Sequence, residues 1–202
     1  MLYAILKIIA ILFFKIFYAM KVVGRENLPT STGYIVSPNH THWLDIPAVG
    51  AALPKKMASF AKKELFHNRI SAWFFRSLGA IPVDRASADL ASIKLSRQVL
   101  QKGMPLLLFP EGTRSRSGEL LQGKRGAVYL ATLTKVPIVP TGIIGFGRKS
   151  PKAKRNQLVV CFGTPFYPFE MFNPQDKDYY RKATDYLMEQ IKKCLQKAEE
   201  QL

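Results

Sequence analysis

Cysteine is nearly absent: Cys161 and Cys194 are the only two in 202 residues. That is too few for a disulfide scaffold or a cysteine-rich zinc module. Acidic residues are scarce too, 14 against 30 Lys and Arg, which leaves a formal net charge of +16. No internal repeat or low-complexity segment appears, and no uncharged apolar run reaches the roughly 18–20 residues that cross a bilayer. The apolar N-terminus has no basic residue before it and no Ala-x-Ala site after it, so a cleavable signal peptide is a poor fit. Zinc spacing, an RNP-like strand and a helix-turn-helix are all missing, which removes the usual support for nucleic-acid binding. Apolar content is ample, at 48% hydrophobic and 11% aromatic, so the chain can bury a core and one domain is expected.

The excess charge lies in the body of the chain. Residues 1–150 hold 21 basic and 7 acidic residues, and residues 151–202 hold 9 and 7. Local concentrations are Lys55-Lys56, Lys62-Lys63 and the run from Arg148 to Arg155. An anionic membrane or an acidic protein partner suits such a balance. Residues 1–20 are apolar almost throughout, interrupted by Lys7 and Lys15. In a helix those two lysines stand about 80° apart, a narrow basic stripe on an apolar cylinder. That pattern predicts a membrane-associating helix in the interface, lysines toward the headgroups. Whether it crosses the membrane or lies on it stays open.

From residue 21 to 202, short apolar β-rich runs alternate with helical stretches, the α/β signature. Strands are predicted at 21–23, 33–36, 57–61, 80–83, 105–109, 138–143 and 158–162. Helices are predicted at 43–52, 69–78, 87–102, 123–134 and 175–201. The middle strands are apolar on both faces, so the expected fold is a single domain with a mostly parallel central sheet flanked by helices. Its polar loops at strand ends are where a site belongs.

Three such loops carry chemistry. Asn39-His40-Thr41-His42-Trp43-Leu44-Asp45 follows the second strand. Within one helix His40 and Asp45 would be about 140° out of phase. With His40 in the loop and Asp45 in the first helical turn, the carboxylate can reach back to the imidazole and leave Nε2 free as a general base. No Ser or Cys nucleophile stands beside it, so a substrate hydroxyl would be what His40 activates. His42 is a rival base without an acidic partner at that spacing. Phe109-Pro110-Glu111-Gly112-Thr113-Arg114-Ser115 leaves the most apolar strand, where Gly112 permits a tight turn and Arg114 can hold a phosphate. Gly79 to Arg85 ends another strand on a basic residue. Lys124 and Arg125 follow Gly123 at an expected helix start, with Gly126 expected to admit a close neighbour. Together these loops describe an anionic substrate with a reactive hydroxyl. Cys161 and Cys194 read as packing positions.

In this order the blocks NHTHWLD, GAIPVDR, FPEGTRS and VPIVPTGI (136–143) resemble the glycerolipid acyltransferases, specifically 1-acyl-sn-glycerol-3-phosphate O-acyltransferases, over about residues 21–165. The resemblance implies a catalytic dyad of His40 and Asp45. It implies phosphate-binding arginines at Arg85 and Arg114, with Glu111, Gly112 and Thr113 as further substrate-binding residues and the fourth block's proline at Pro137 or Pro140. Lys124 joins them as a substrate-binding residue because its charge at an expected helix start suits an anion. His42 stands where many members carry Ser. The implied reaction takes an acyl group from acyl-CoA or acyl carrier protein to the sn-2 hydroxyl of lysophosphatidic acid, with no metal and no cofactor. Backbone N–H groups near Asn39–Thr41 or Gly112 are the expected oxyanion donors. The implied setting is the cytoplasmic face of the cell membrane. Another lysolipid acceptor, or a non-catalytic basic membrane-binding protein, remains an alternative.

Overall fold

The apolar runs assemble into one seven-stranded sheet in a computed structural model that describes residues 2–84, 90–146 and 156–202. Its strands are β1 (Lys21–Val23), β2 (Ile35–Pro38), β3 (Ala58–Lys62), β4 (Ala80–Val83), β5 (Leu106–Leu107), β6 (Ile138–Ile144) and β7 (Val159–Phe162), in the spatial order β1-β7-β6-β2-β5-β3-β4. Five neighbours from β6 to β4 run parallel, β7 is antiparallel to β6, and β1 runs parallel to β7. All seven residues of β6 are buried, as an apolar run interrupted only by Thr141 requires of a central strand. The sheet is thus mostly parallel, as expected.

Side-chain alternation divides the core in two. Ile35, Leu106 and Ile138 face one cluster, together with Leu100, Ala127 and Leu187. Their neighbours Val36, Leu107 and Val139 face the other, together with Phe14, Ala48 and Val49. The first is roofed by α4 (Leu90–Gln101), α5 (Gly126–Thr134) and α7 (Tyr179–Glu199), the second by α1 (Leu2–Tyr18) and α2 (Asp45–Ala52). In α7 the buried Ala183, Leu187, Ile191 and Leu195 recur every four residues, the stripe a helix needs to lie on a sheet. Short α3 (Arg69–Ser77) precedes β4, and the four-residue α6 (Pro168–Met171) was not expected. The predicted helix at 87–102 is seen as α4 from Leu90, its first residues lying outside those described.

Two expectations need correction. Lys7 does not point toward headgroups: its ammonium donates to the carbonyl oxygens of Leu53 and Pro54, just past the end of α2. Helical phase explains this, because Lys7 sits only about 20° around the axis from the buried Phe14. Burial and the nearby Arg25 push its ammonium below the usual lysine range. Arg25 in turn donates to the carbonyl of Ala52 at 2.8 Å, so two cations satisfy the negative end of α2. The outward face of α1 is instead Ile5, Ile8, Ile9, Leu12, Ile16 and Phe17. No helix among the described residues is long and apolar enough to cross a membrane.

Nor is Gly126 the close-packed glycine, since a Cβ there would meet nothing within 4 Å. Close approach occurs at Gly123, where a Cβ would stand 2.8 Å from the Thr184 methyl and 2.7 Å from Met188. It occurs also at Gly142 on β6, where the α7 backbone at Cys194 and Leu195 lies 2.7 Å from the Cβ position. Backbone cannot rotate aside as a side chain can. Gly142→Ala is therefore expected to cost about 1–3 kcal/mol, read as a lower denaturant midpoint. An unchanged midpoint would mean α7 is not seated as closely as described.

Candidate active site

Three parallel strands, β6, β2 and β5, end side by side, and the chemistry-bearing loops leave from their carboxyl ends. After Pro38 the chain turns through residues 39–44 and enters α2 at Asp45. His40 is thereby in the loop and Asp45 at the first helical residue, and Nδ1 of His40 lies 2.9 Å from Oδ2 of Asp45. The same oxygen accepts the backbone N–H groups of Thr41 and His42, each at 2.8 Å. Asp45 is wholly buried. An ionised carboxylate only accepts hydrogen bonds, so Nδ1 carries the proton and Nε2 is left basic. Phe109 stacks on the imidazole, ring centroids 3.7 Å apart and planes 15° from parallel.

The third block holds the backbone of this histidine from both sides. The N–H of His40 donates to Oε1 of Glu111 at 2.8 Å, and its carbonyl accepts from the N–H of Ser115 at 2.8 Å. The other Glu111 oxygen accepts from the Leu121 N–H at 2.9 Å. Glu111 is only 2% exposed. Burial raises its carboxyl above the ordinary range, and the two backbone donors pull it back. Each oxygen thus accepts one backbone N–H, a hold on the His40 loop that the expectation of a substrate contact at Glu111 did not include. Between the anchors Glu111 and Ser115, residues Gly112, Thr113 and Arg114 form an exposed tip. Gly112 has φ +69°. Lys124 crosses beside it, its Nζ 3.1 Å from where a Gly112 Cβ would stand, and its N–H donates to Pro110 at 2.7 Å. Lys124 precedes α5, which begins at Gly126, so its charge is not inside the helix.

The fourth block is β6, and it grips the first through Asn39. The Asn39 amide donates to the Ile143 carbonyl at 3.0 Å and accepts from the Ile143 N–H at 2.8 Å. This side chain continues the β2–β6 ladder past its last register pair, Pro38 with Thr141. Pro137 and Pro140 stay in or beside that strand, the Pro140 carbonyl accepting from Gly163 at 2.8 Å. His42 accepts the Leu44 N–H at 3.2 Å and lies against Phe146, a packing role. Arg85 and the basic run from Arg148 to Arg155 lie outside the described residues.

Three of the expected oxyanion donors are already engaged. The N–H of His40 goes to Glu111, that of Thr41 to Asp45, and that of Gly112 to Phe109 at 3.2 Å. Sequence reasoning passed over the Asn39 side chain, Phe109 and Ser115 as contributors, although all three stand inside the quoted blocks. Among the described residues no three His, Cys, Asp or Glu side chains converge as a metal site would need. Against the first turn of α2, a cavity of about 520 Å³ runs between α1, α2, β3 and α3, lined by Leu6, Ala10, Ile46, Met57, Phe60 and Phe75 among others.

Residues 19–144 match the acyltransferase family model. The chain is 31% identical over 182 residues to the 1-acyl-sn-glycerol-3-phosphate acyltransferase of Bacillus subtilis (strain 168), covering 90% of each protein. It is 36% identical over 132 residues to the enzyme of the same name from Streptococcus pneumoniae, covering 65% of this chain and 48% of that one. The crystal structure of the 1-acyl-sn-glycerophosphate (LPA) acyltransferase PlsC from Thermotoga maritima superposes with TM-score 0.76 at 26% identity, over 96% of this chain and 78% of that one.

Removing the Asn39 amide leaves the Ile143 N–H and carbonyl buried without that partner. Asn39→Ala should destabilise the protein by about 2–4 kcal/mol, measured by urea unfolding. A loss below about 0.5 kcal/mol, the range of a neutral surface change, would show the clamp to be unimportant.

Proposed function

Because the chain belongs to the acyltransferase family and is a 1-acylglycerol-3-phosphate O-acyltransferase, we propose that it moves a fatty acyl group from an acyl thioester to the sn-2 hydroxyl of 1-acylglycerol 3-phosphate, giving phosphatidic acid, with His40 as general base. The observation that carries the mechanism is the 2.9 Å contact between His40 Nδ1 and buried Asp45, with the backbone of His40 held at both its N–H and its carbonyl.

Nε2 of His40 removes the hydroxyl proton as the oxygen attacks the thioester carbonyl. Asp45 holds the proton-bearing tautomer and stabilises the imidazolium. The tetrahedral intermediate collapses, the C–S bond breaks, and the imidazolium returns its proton to the departing thiolate. Atoms and charge balance without a metal or redox cofactor, because replacing a thioester by an oxygen ester is downhill. Arg114 and Lys124, exposed at the loop beside His40, suit the acceptor's phosphate, with Arg85 assigned to the same group by the family motif. The cavity against the first turn of α2 is apolar enough for a fatty-acyl chain.

Acyl-CoA and acyl carrier protein are both acidic donors that the net positive charge favours. The exposed apolar face of α1 supports attachment to a membrane, on its cytoplasmic side where such thioesters are made. His40→Ala is expected to lower thiol release on lysophosphatidic acid by about 10³-fold or more while vesicle binding persists. Activity retained in that variant would remove the base assignment. Arg114→Ala should raise the acceptor KM about tenfold with little change for the donor, and equal changes for both would argue against a phosphate contact. Glu111→Gln should cut kcat by about tenfold or more with the acceptor KM nearly constant. A rise confined to KM would restore Glu111 as a substrate contact.

A further inference from the structure

The helix α3 turns its largest apolar side chains outward. Only Ala72 is buried in it, whereas Ile70 is 81% and Trp73 64% exposed, with Phe74 beside them. Spaced i, i+3 and i+4, these three form one stripe. Arg69 and Arg76 stand about 20° apart around the axis on one flank of that stripe, and Lys62 and Lys63 lie exposed just ahead of the helix. Along the flank runs a groove of about 660 Å³ lined by His67, Asn68, Arg69, Trp73 and Arg76 among others, without a carboxylate in its lining. The helix is well anchored, since Asn68 Oδ1 accepts the Ser71 N–H at 2.8 Å at its start. Phe75 and Leu78, on its inner side, line the cavity against the first turn of α2.

We propose that α3 is a second membrane-contact element, its Ile70-Trp73-Phe74 stripe dipping into an anionic bilayer while Arg69 and Arg76 hold lipid phosphates in the adjoining groove. Trp and Arg are the side chains that favour the headgroup boundary. A second copy of this chain is a poor occupant, because it would set this cluster of cations against another like it. The contact has a consequence for access. The same cavity is bordered by α1 and α3, so a bilayer touching both helices covers the space between them, and a lipid chain enters without crossing water. The proposal rests on the reading that the substrate is a bilayer lipid.

The full chain has two tryptophans, Trp43 and Trp73, so Trp43→Phe leaves Trp73 as the sole reporter. Its emission is expected to be quenched by vesicles of phosphatidylcholine and phosphatidylglycerol brominated on the acyl chains, and much less by brominated phosphatidylcholine alone. In parallel the I70S/W73S/F74S variant should bind the anionic vesicles about tenfold more weakly, while keeping its rate on lysophosphatidic acid dispersed in detergent within about twofold. Absence of quenching, equal quenching without anionic lipid, or shielding of Trp73 by self-association in lipid-free buffer would each overturn the proposal. Failure of the parent protein to acylate lysophosphatidic acid would refute the enzymatic reading instead, and the quenching result would stand apart from it.

Discussion

One carboxylate oxygen organises the centre of this molecule. Oδ2 of Asp45 accepts from the imidazole of His40 and from two successive backbone N–H groups, Thr41 and His42. Those backbone bonds hold the loop folded back over the first turn of α2, and that fold is what brings the imidazole within reach. The charge needed to orient the base therefore also builds the loop that carries it. Desolvating a carboxylate completely costs several kcal/mol unless it is well bonded. Three donors on Oδ2 and the positive end of a helix offset part of that cost, while the buried Oδ1 has no hydrogen-bond partner among the described residues.

The opposite end of the same helix is finished with equal care. Arg25 and Lys7 reach the carbonyls of Ala52, Leu53 and Pro54, so α2 has an anion at its start and cations at its end. An eight-residue helix is too short to be stable alone, and here packing and terminal charges hold it in place of length. Lys7 belongs to α1, so the same bond ties the apolar N-terminal helix to the element that carries the dyad. The position of α1 is thus tied to that element through two backbone carbonyls and the packing of Phe14, not through a flexible linker.

Much of this was legible in the sequence. All seven strands overlap the predicted runs, and β6 shows why most plainly: buried along its whole length, it carries one polar side chain, Thr141. The His40–Asp45 contact was legible because its spacing only works across a loop-to-helix junction. Reading failed where partner geometry decides. Glu111 looks like a ligand by residue type, yet its 2% exposure follows from the Leu121 and His40 N–H groups, which no local pattern announces. Lys7 looked outward by average polarity, and only the phase it shares with Phe14 shows that it turns in. Gly123 and Gly126 flank the same two residues, but which one meets α7 depends on where α5 starts.

The alternation within Phe109 to Ser115 explains why a basic loop can sit beside a base without disordering it. Phe109 covers the imidazole, Glu111 and Ser115 clamp the backbone of His40, and the residues between them are left to solvent. Side chains that hold the His40 loop and side chains open to solvent therefore occupy different residues of one short loop. The anchors keep the tip in fixed register with Nε2, so a phosphate held there places the rest of its molecule at a set distance from the base. With the proposed phosphate contact at the tip, an acceptor would be selected by the separation between its phosphate and its hydroxyl. For a lipid whose two groups sit on one glycerol backbone, this separation is short and nearly constant whatever the chain attached, so a phosphate contact at the tip would not by itself distinguish chain length.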